Sequence, residues 1–433
     1  MTSWAPPAMF AVLLVLLLSG MPVAFALAGA GMCFALLGLA TGDYGWLDLA
    51  DVPSNIFSGI VANEPLTAVP LFILMGLILE KTGIAKDLLE SSGRVFARLP
   101  GGLALAIVLV GAVVAASTGI VGATVVTMAV LSLPTMLAAR YDQGLACGTI
   151  AASGTLGQII PPSIVLILLG SIMNVGIGEV FVGALIPGVL LVGGYLIYIL
   201  LRVLCQPHLA PQQESAEAEA GAGNKELLKN IAVPMSLMFL VLGSIMAGWA
   251  TPSEAAACGA VGAAALAALR GRCRRAHLRQ ALGDAVQMTA MVFTILAGAQ
   301  FFSAVFHELH GGHWIETLFF GAPVDPWASE APTPAGFFGW LTGGSTTGAL
   351  ILILVLIFAL GCVLDFLEIC FIVVPILLPI LSHLGYDGND AKLWLAILIA
   401  VSLGVIFTLS APASRAFMPL VIGLRTVPVL AVA

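Results

Sequence analysis

Apolar runs of membrane-spanning length occupy most of this chain, at residues 9–40, 56–80, 102–138, 145–171, 180–204, 231–250, 254–269, 285–306, 346–384 and 393–412. A helix needs about 20 apolar residues to cross the hydrocarbon core of a bilayer, and backbone groups in that core must be paired within the protein. Runs of this length, repeated from end to end, point to an all-α polytopic membrane protein embedded in a lipid bilayer. Charge density agrees: 9% of residues are charged, against about 25% in soluble domains. The net charge of −7 offers no basic surface to nucleic acid, whose binding rests on neutralised phosphates. Nothing at the N-terminus reads as a cleavable signal, because "MTSWAPPAMF" lacks a basic region and the apolar run after it is too long. Cys33, Cys147, Cys205, Cys258, Cys273, Cys362 and Cys370 show neither CxxC nor CxH spacing and read as small residues of a membrane core.

Loop charge orients the runs, since Lys and Arg concentrate on the cytoplasmic side. "RGRCRRAHLRQ" (270–280) is the strongest inside anchor, and 80–100 adds Lys81, Lys86, Arg94 and Arg98. The stretches 41–65 and 307–345 contain neither Lys nor Arg and are read as outside. Segment 102–138 is too long for one crossing, is interrupted by "ASTGIVGAT", and has arginines beyond both ends. A re-entrant hairpin from inside, with its tip near Ser117-Thr118-Gly119, satisfies length and charge together. Segment 346–384, interrupted by "GCVLD" and flanked by loops without arginine, reads as a second hairpin from outside. Five simple crossings lie between the hairpins, so the two enter from opposite faces. The N-terminal run 9–40 reads either as one tilted helix or as two short ones broken at Gly20-Met21-Pro22, which leaves N-terminal sidedness open.

"LPTMLAARYD" (133–142) and "LPILSHLGYD" (378–387) share Leu-Pro and Tyr-Asp at an offset of 245, and each ends one of the hairpins. Matched motifs ending hairpins of opposite orientation are the mark of an inverted repeat, the plan of many secondary transporters, which bind substrate and ions at broken helices near the midplane. The division expected is a first repeat 1–204 (hairpin 102–138, broken helix 145–171), a linker 205–230, a second repeat 231–404 (hairpin 346–384) and an atypical tail 405–433. The break itself is visible in "GTLGQIIPPSIVLILLG" (154–170). Proline lacks an N–H and clashes with the preceding turn, so Pro161-Pro162 must split that crossing. A split helix presents carbonyls able to ligate a cation and a positive N-terminus able to face a carboxylate.

At these residues the chain resembles the large membrane subunit of tripartite ATP-independent periplasmic (TRAP) transporters. The resemblance is carried by 101–137, 148–170, "GALIPGVLL" (183–191) and "LDFLEICFIVVPILLP" (364–379). It implies an elevator-type secondary transporter of the bacterial inner membrane, driven by a Na⁺ gradient. It also implies a periplasmic substrate-binding protein that delivers an organic acid such as a C4-dicarboxylate, and a small membrane subunit. Carried over by position, it places the first tip at Ser117, Thr118, Gly119, Gly122 and Thr124. The broken helix falls at Thr155, Gly157, Gln158, Pro161 and Pro162, and the second tip at Asp365 and Glu368. Na⁺ is expected near Ser117, Thr118, Gly157 and Asp365, with no other cofactor. Asp365 and Glu368 share a helix face, and intramembrane carboxylates mark a pathway, although Asp365 equally suits a helix cap. The tail "FTLSAPASRAFMPLVIGLRTVPVLAVA" departs from the family's second Thr-Pro-Pro break, which keeps an inactive or truncated member in view, beside a stand-alone Na⁺/carboxylate carrier.

The chain is read as no enzyme, since it has neither HExxH nor GxxxxGK[ST]. "CQPHLAPQQESAEAEAGAGNKELLKN" (205–230) reads as a flexible linker. "HELHGGHWIE" (307–316) offers His307, Glu308, His310, His313 and Glu316, a conceivable metal set that reads more simply as an interfacial loop.

Overall fold

The computed structural model describes residues 4–42, 44–96, 99–118, 121–211, 220–271, 275–322, 335–361, 364, 366–386 and 388–405. Among these every regular element is helical. Six helices are long and apolar enough to span a bilayer: Val23–Thr41, Ile177–Cys205, Leu227–Met246, Pro252–Leu269, Arg275–Glu308 and Phe366–His383. A bent pair, Leu49–Val61 with Glu64–Lys81, turns through 59° and makes a seventh if counted as one span.

The run 9–40 is two helices, Ala5–Leu18 and Val23–Thr41. Gly20 at φ 81° and Pro22, which lacks a donor, separate them. The run 56–80 differs from its sequence reading as one crossing. A helix Trp46–Ile56 leads into a π turn Phe57–Val61, and the chain restarts through Glu64–Thr67 into Ala68–Lys81. Pro65 supplies the restart, because it cannot donate into a continuing ladder. The linker is shorter than expected, since a helix Ala220–Met246 begins within it.

Between helices in lipid no hydrophobic difference drives association, so close approach of small residues does. A Cβ on Gly298 would lie 2.6 Å from the Ala24 carbonyl oxygen, which presses Arg275–Glu308 onto Val23–Thr41. One on Gly259 would lie 2.7 Å from the Met75 sulfur, pressing Pro252–Leu269 onto Ala68–Lys81. These four helices pack together.

Segment 102–138 forms the helices Gly102–Thr118 and Val121–Ala138. They fold back on each other: the Leu103 N–H, at the start of the first, donates to the Tyr141 hydroxyl, just past the end of the second, at 3.3 Å. Segment 346–384 forms Thr346–Gly361 and, from Phe366 to His383, a helix with a π turn at Ile369–Val373. The offset of 245 carries Val121–Ala138 onto Phe366–His383 end for end. It carries the closing turn as well. The N–H groups of Arg140 and Tyr141 donate to the Leu137 and Met136 carbonyls, each at 3.0 Å, and those of Gly385 and Tyr386 donate to Ser382 and Leu381 at 3.0 and 2.9 Å. This is one Schellman motif twice, with the left-handed position filled by Arg140 (φ 57°) and Gly385 (φ 88°). The matched stretches thus close in the same local turn, which also ends Ala5–Leu18, Ile164–Met173 and Ala220–Met246.

Candidate functional site

The crossing that holds the proline doublet is split as its sequence requires. Asp142 caps the helix Gln143–Thr155 by accepting from the Leu145 N–H at 3.0 Å. A single 3-10 turn, Leu156–Gln158, follows. The Ile159 and Ile160 N–H groups both fall on the Leu156 carbonyl, at 3.1 and 3.0 Å, and Pro161 and Pro162, joined by a cis peptide bond, end the ladder. The chain restarts as Ile164–Met173. Ten residues make about 15 Å of helix, half the thickness of the bilayer core.

Ser163 occupies the N-cap position, but its hydroxyl turns away from its own helix and donates to the Gln158 carbonyl across the break at 2.7 Å. The first turn of Ile164–Met173 thus has no side-chain cap, and the positive end of its dipole looks into the break. The Gln158 amide oxygen is buried there without a hydrogen-bond partner. Thr155 is also buried, donating to the Ala152 carbonyl at 2.9 Å. A buried amide oxygen without a partner and a helix start without a side-chain cap thus lie six residues apart in sequence, on the two sides of the proline doublet. Such a set can coordinate a small cation and face an anion.

The first hairpin holds this break from two sides. A Cβ on Gly111, in the hairpin's first helix, would lie 2.4 Å from the Ser153 Cβ. A Cβ on Gly154 would lie 2.2 Å from Val125 Cγ2, in the second helix. Ser153 and Gly154 are adjacent, whereas Gly111 and Val125 would stand about 21 Å apart on a continuous helix. The end of Gln143–Thr155 is therefore wedged between the two arms. The helix Asn389–Val405, which follows the second hairpin as Gln143–Thr155 follows the first, packs on the 156–158 turn and on Ile164–Met173.

The expected residues are thus partly gathered. Thr155, Gly157, Gln158, Pro161 and Pro162 form the break, and Thr124 is buried in the hairpin arm beside it. The backbones of Ser117, Thr118 and Gly122 lie in the two arms, with their side chains outside the described residues. Gly119, Asp365 and the tail from 406 also lie outside them. Glu368 is buried at the start of the helix Phe366–His383. Sequence reasoning missed Ser153 and Ser163, both wholly buried at the break, because a serine in an apolar run looks like any small residue.

Outside the break, burial pushes the Tyr141 hydroxyl above its usual range, against hydrogen bonds from the Leu103 and Ala104 backbone. The interfacial loop expected at 307–316 is instead largely helical, with Gly311–Phe320 starting after His310 in the left-handed region. There the Glu316 carboxylate lies 3.2 Å from His313 Nδ1 and 3.9 Å from His383 Nε2. Among the described residues no group of three His, Cys, Asp or Glu is arranged to hold a metal ion.

Comparison with known proteins places this geometry in context. The family described as "Tripartite ATP-independent periplasmic transporter, DctM component" matches residues 10–417, beyond the boundary at 404 suggested for the atypical tail. The C4-dicarboxylate TRAP transporter large permease protein of Pseudomonas aeruginosa is 28% identical over 344 residues, covering 79% of this chain and 74% of its own. The 2,3-diketo-L-gulonate TRAP transporter large permease protein of Escherichia coli is 27% identical over 375 residues, 85% of this chain and 79% of its own. Among solved structures, the Alcanivorax borkumensis YdaH transporter has a TM-score of 0.50 at 14% identity, over 86% of this chain and 89% of that one, a likeness of fold.

Proposed function

Because the chain belongs to the DctM-component family of tripartite ATP-independent periplasmic transporters, a family of multi-pass inner-membrane permeases, we propose that it carries a small organic acid into the cell, coupled to Na⁺. The observation that supports this reading is the break at 155–163, which holds a buried Gln158 amide oxygen without a partner and is followed by the uncapped start of Ile164–Met173.

The chemistry follows from the two half-helix ends. Carbonyls ending the first half, with Gly157 among them, favour Na⁺, and the family resemblance adds Ser117, Thr118 and Asp365 as candidate ligands. The positive end of Ile164–Met173 favours a carboxylate. Each charge offsets the desolvation of the other, so binding the two together costs less than binding either alone. Transport then follows if the hairpins and the broken helix move as a unit past the other helices, in the manner of an elevator. A pocket built from backbone groups accommodates varied acids. The relatives' names agree with that breadth, one being a C4-dicarboxylate permease and another a diketogulonate permease. The partners of this reading are a small membrane subunit and a periplasmic binding protein that delivers the acid.

The test is uptake of labelled succinate, and of a panel of related acids, into proteoliposomes holding the chain with its small subunit and binding protein. Uptake should require an inward Na⁺ gradient and should stop when the binding protein is omitted. Uptake indifferent to Na⁺ would overturn the coupling. Uptake persisting without the binding protein would favour a stand-alone carrier.

A further inference from the structure

The helix Ala68–Lys81 makes a polar side-chain contact with the hairpin and broken helix near each of its ends. At its start, just before the restart at Glu64, the Asn63 amide nitrogen donates to the Ser171 hydroxyl at 3.0 Å, and that hydroxyl lies 3.4 Å from the Asn63 amide oxygen. Ser171 belongs to the second half of the broken helix. At its far end the Thr127 hydroxyl, from the second arm of the first hairpin, donates to the Glu80 carboxylate at 2.6 Å. Between these points the helix is apolar, with Val69, Phe72, Ile73 and Leu77 buried, and it packs on the hairpin's first helix and on Ile164–Met173. Its own side of the contact is fixed. Lys81 pairs with Asp284 of Arg275–Glu308 at 2.9 Å, and Gly259 locks it to Pro252–Leu269.

An apolar face has no register of its own, because sliding exchanges one set of dispersion contacts for another. A hydrogen bond holds one register only. We propose that Ala68–Lys81 is a rail on which the hairpin and broken helix slide, and that Asn63–Ser171 and Glu80–Thr127 are the two stops that hold its inward register. The direction comes from the residue that Glu80 meets. Glu80 lies at the basic, inner end of its helix, yet it faces the middle of the hairpin arm. Thr127 is about 16 Å of helix from Ala138 at the arm's base, so the base stands well beyond the inner end of the rail. In the opposite register Thr127 lies above Glu80, and both stops are broken. Hydrogen bonds of this kind between membrane helices change an equilibrium by roughly three- to thirty-fold each, enough to set a resting state without trapping the carrier.

This inference rests on the transport reading, and its test separates the two. In a background with the native cysteines replaced by alanine, two double variants are made, Glu80→Cys with Thr127→Cys and Asn63→Cys with Ser171→Cys. Both pairs should form disulfides under mild oxidation, and closing either should stop uptake until reductant is added. Without any substrate, Thr127→Val should slow closure of the distant 63–171 pair severalfold, whereas Thr127→Ser, which keeps the hydroxyl, should not. Failure of the pairs to close, uptake unchanged after closure, or a Thr127→Val variant without effect on the 63–171 pair would each overturn the stops. Double variants that close their pairs, in a background that carries no acid even when reduced, would count against the transport reading alone.

Discussion

A buried amide carbonyl without a partner costs about 1–3 kcal/mol, and Gln158 carries one at the break. Leucine fills nearly the same volume without the polar atom. If the amide serves only the fold, Gln158→Leu should be neutral or stabilising, and uptake should survive. The site reading expects the melting temperature in detergent to hold or rise while uptake falls at least tenfold; uptake near the parent level would remove Gln158 from the site. The glycines allow a second separation. Gly154→Ala drives a methyl to within 2.2 Å of Val125 Cγ2 and 3.0 Å of its Cα, an overpacking worth about 1–3 kcal/mol. Gly148, exposed on the same helix with nothing within 4 Å of its added Cβ, should gain about 0.5–1 kcal/mol from the same change through helix propensity. Equal effects on thermal unfolding would mean that the hairpin does not clasp the helix end. Gln158 was legible beside its prolines. The clasp was not, because nothing in a sequence says which glycine of a glycine-rich run meets a neighbouring helix.

At the scale of elements, the break at the proline doublet could be read directly, since two missing donors leave no continuous helix open, whereas the single proline of Gly20-Met21-Pro22 left both one helix and two open, and the structure has two. The break at Asn63 escaped because its flanks are polar and resemble a loop. The helices Trp46–Ile56 and Gly311–Phe320 escaped for a related reason: both lie outside the long apolar runs and so lack the signal by which the crossings were found. Hairpin 102–138 could be read from length and charge, and what closes its base is the Tyr141 hydroxyl on the Leu103 N–H. Removing it in Tyr141→Phe should cost about 0.5–1.5 kcal/mol at neutral pH. Burial also makes a pH signature. The folded hydroxyl titrates above the usual value near 10, so above that pH the unfolded chain loses its proton while the folded one keeps it. The stabilisation from the neutral hydroxyl is therefore full below pH 10 and is lost as pH rises through the folded value. Melting temperatures of the parent should fall more steeply than those of Tyr141→Phe over that alkaline window, and parallel curves would mean that the hydroxyl is not buried at the hairpin base.

For the whole molecule the inverted repeat expected from the sequence would set how the proposed carrier works, because a carrier whose halves enter from opposite faces has two related arrangements of similar energy. The sequence argument reached this through loop charge and the parity of five crossings, and the structure adds the shared turn. The two arguments join in a prediction about sidedness. Gln143 and Gly388 follow the two copies of the turn at the offset of 245, and both are exposed; a Cβ on Gly388 meets nothing within 4 Å. Single cysteines at these positions, Gln143→Cys and Gly388→Cys, in a background without native cysteines, should react with a membrane-impermeant maleimide from opposite faces. The first should react only in inside-out vesicles, on the side of the 270–280 arginines, and the second in intact spheroplasts. Labelling of both from one face would make the repeat parallel. Two hairpins entering from the same side could not exchange roles, so alternating access would then need a mechanism that does not draw on the symmetry of the turns.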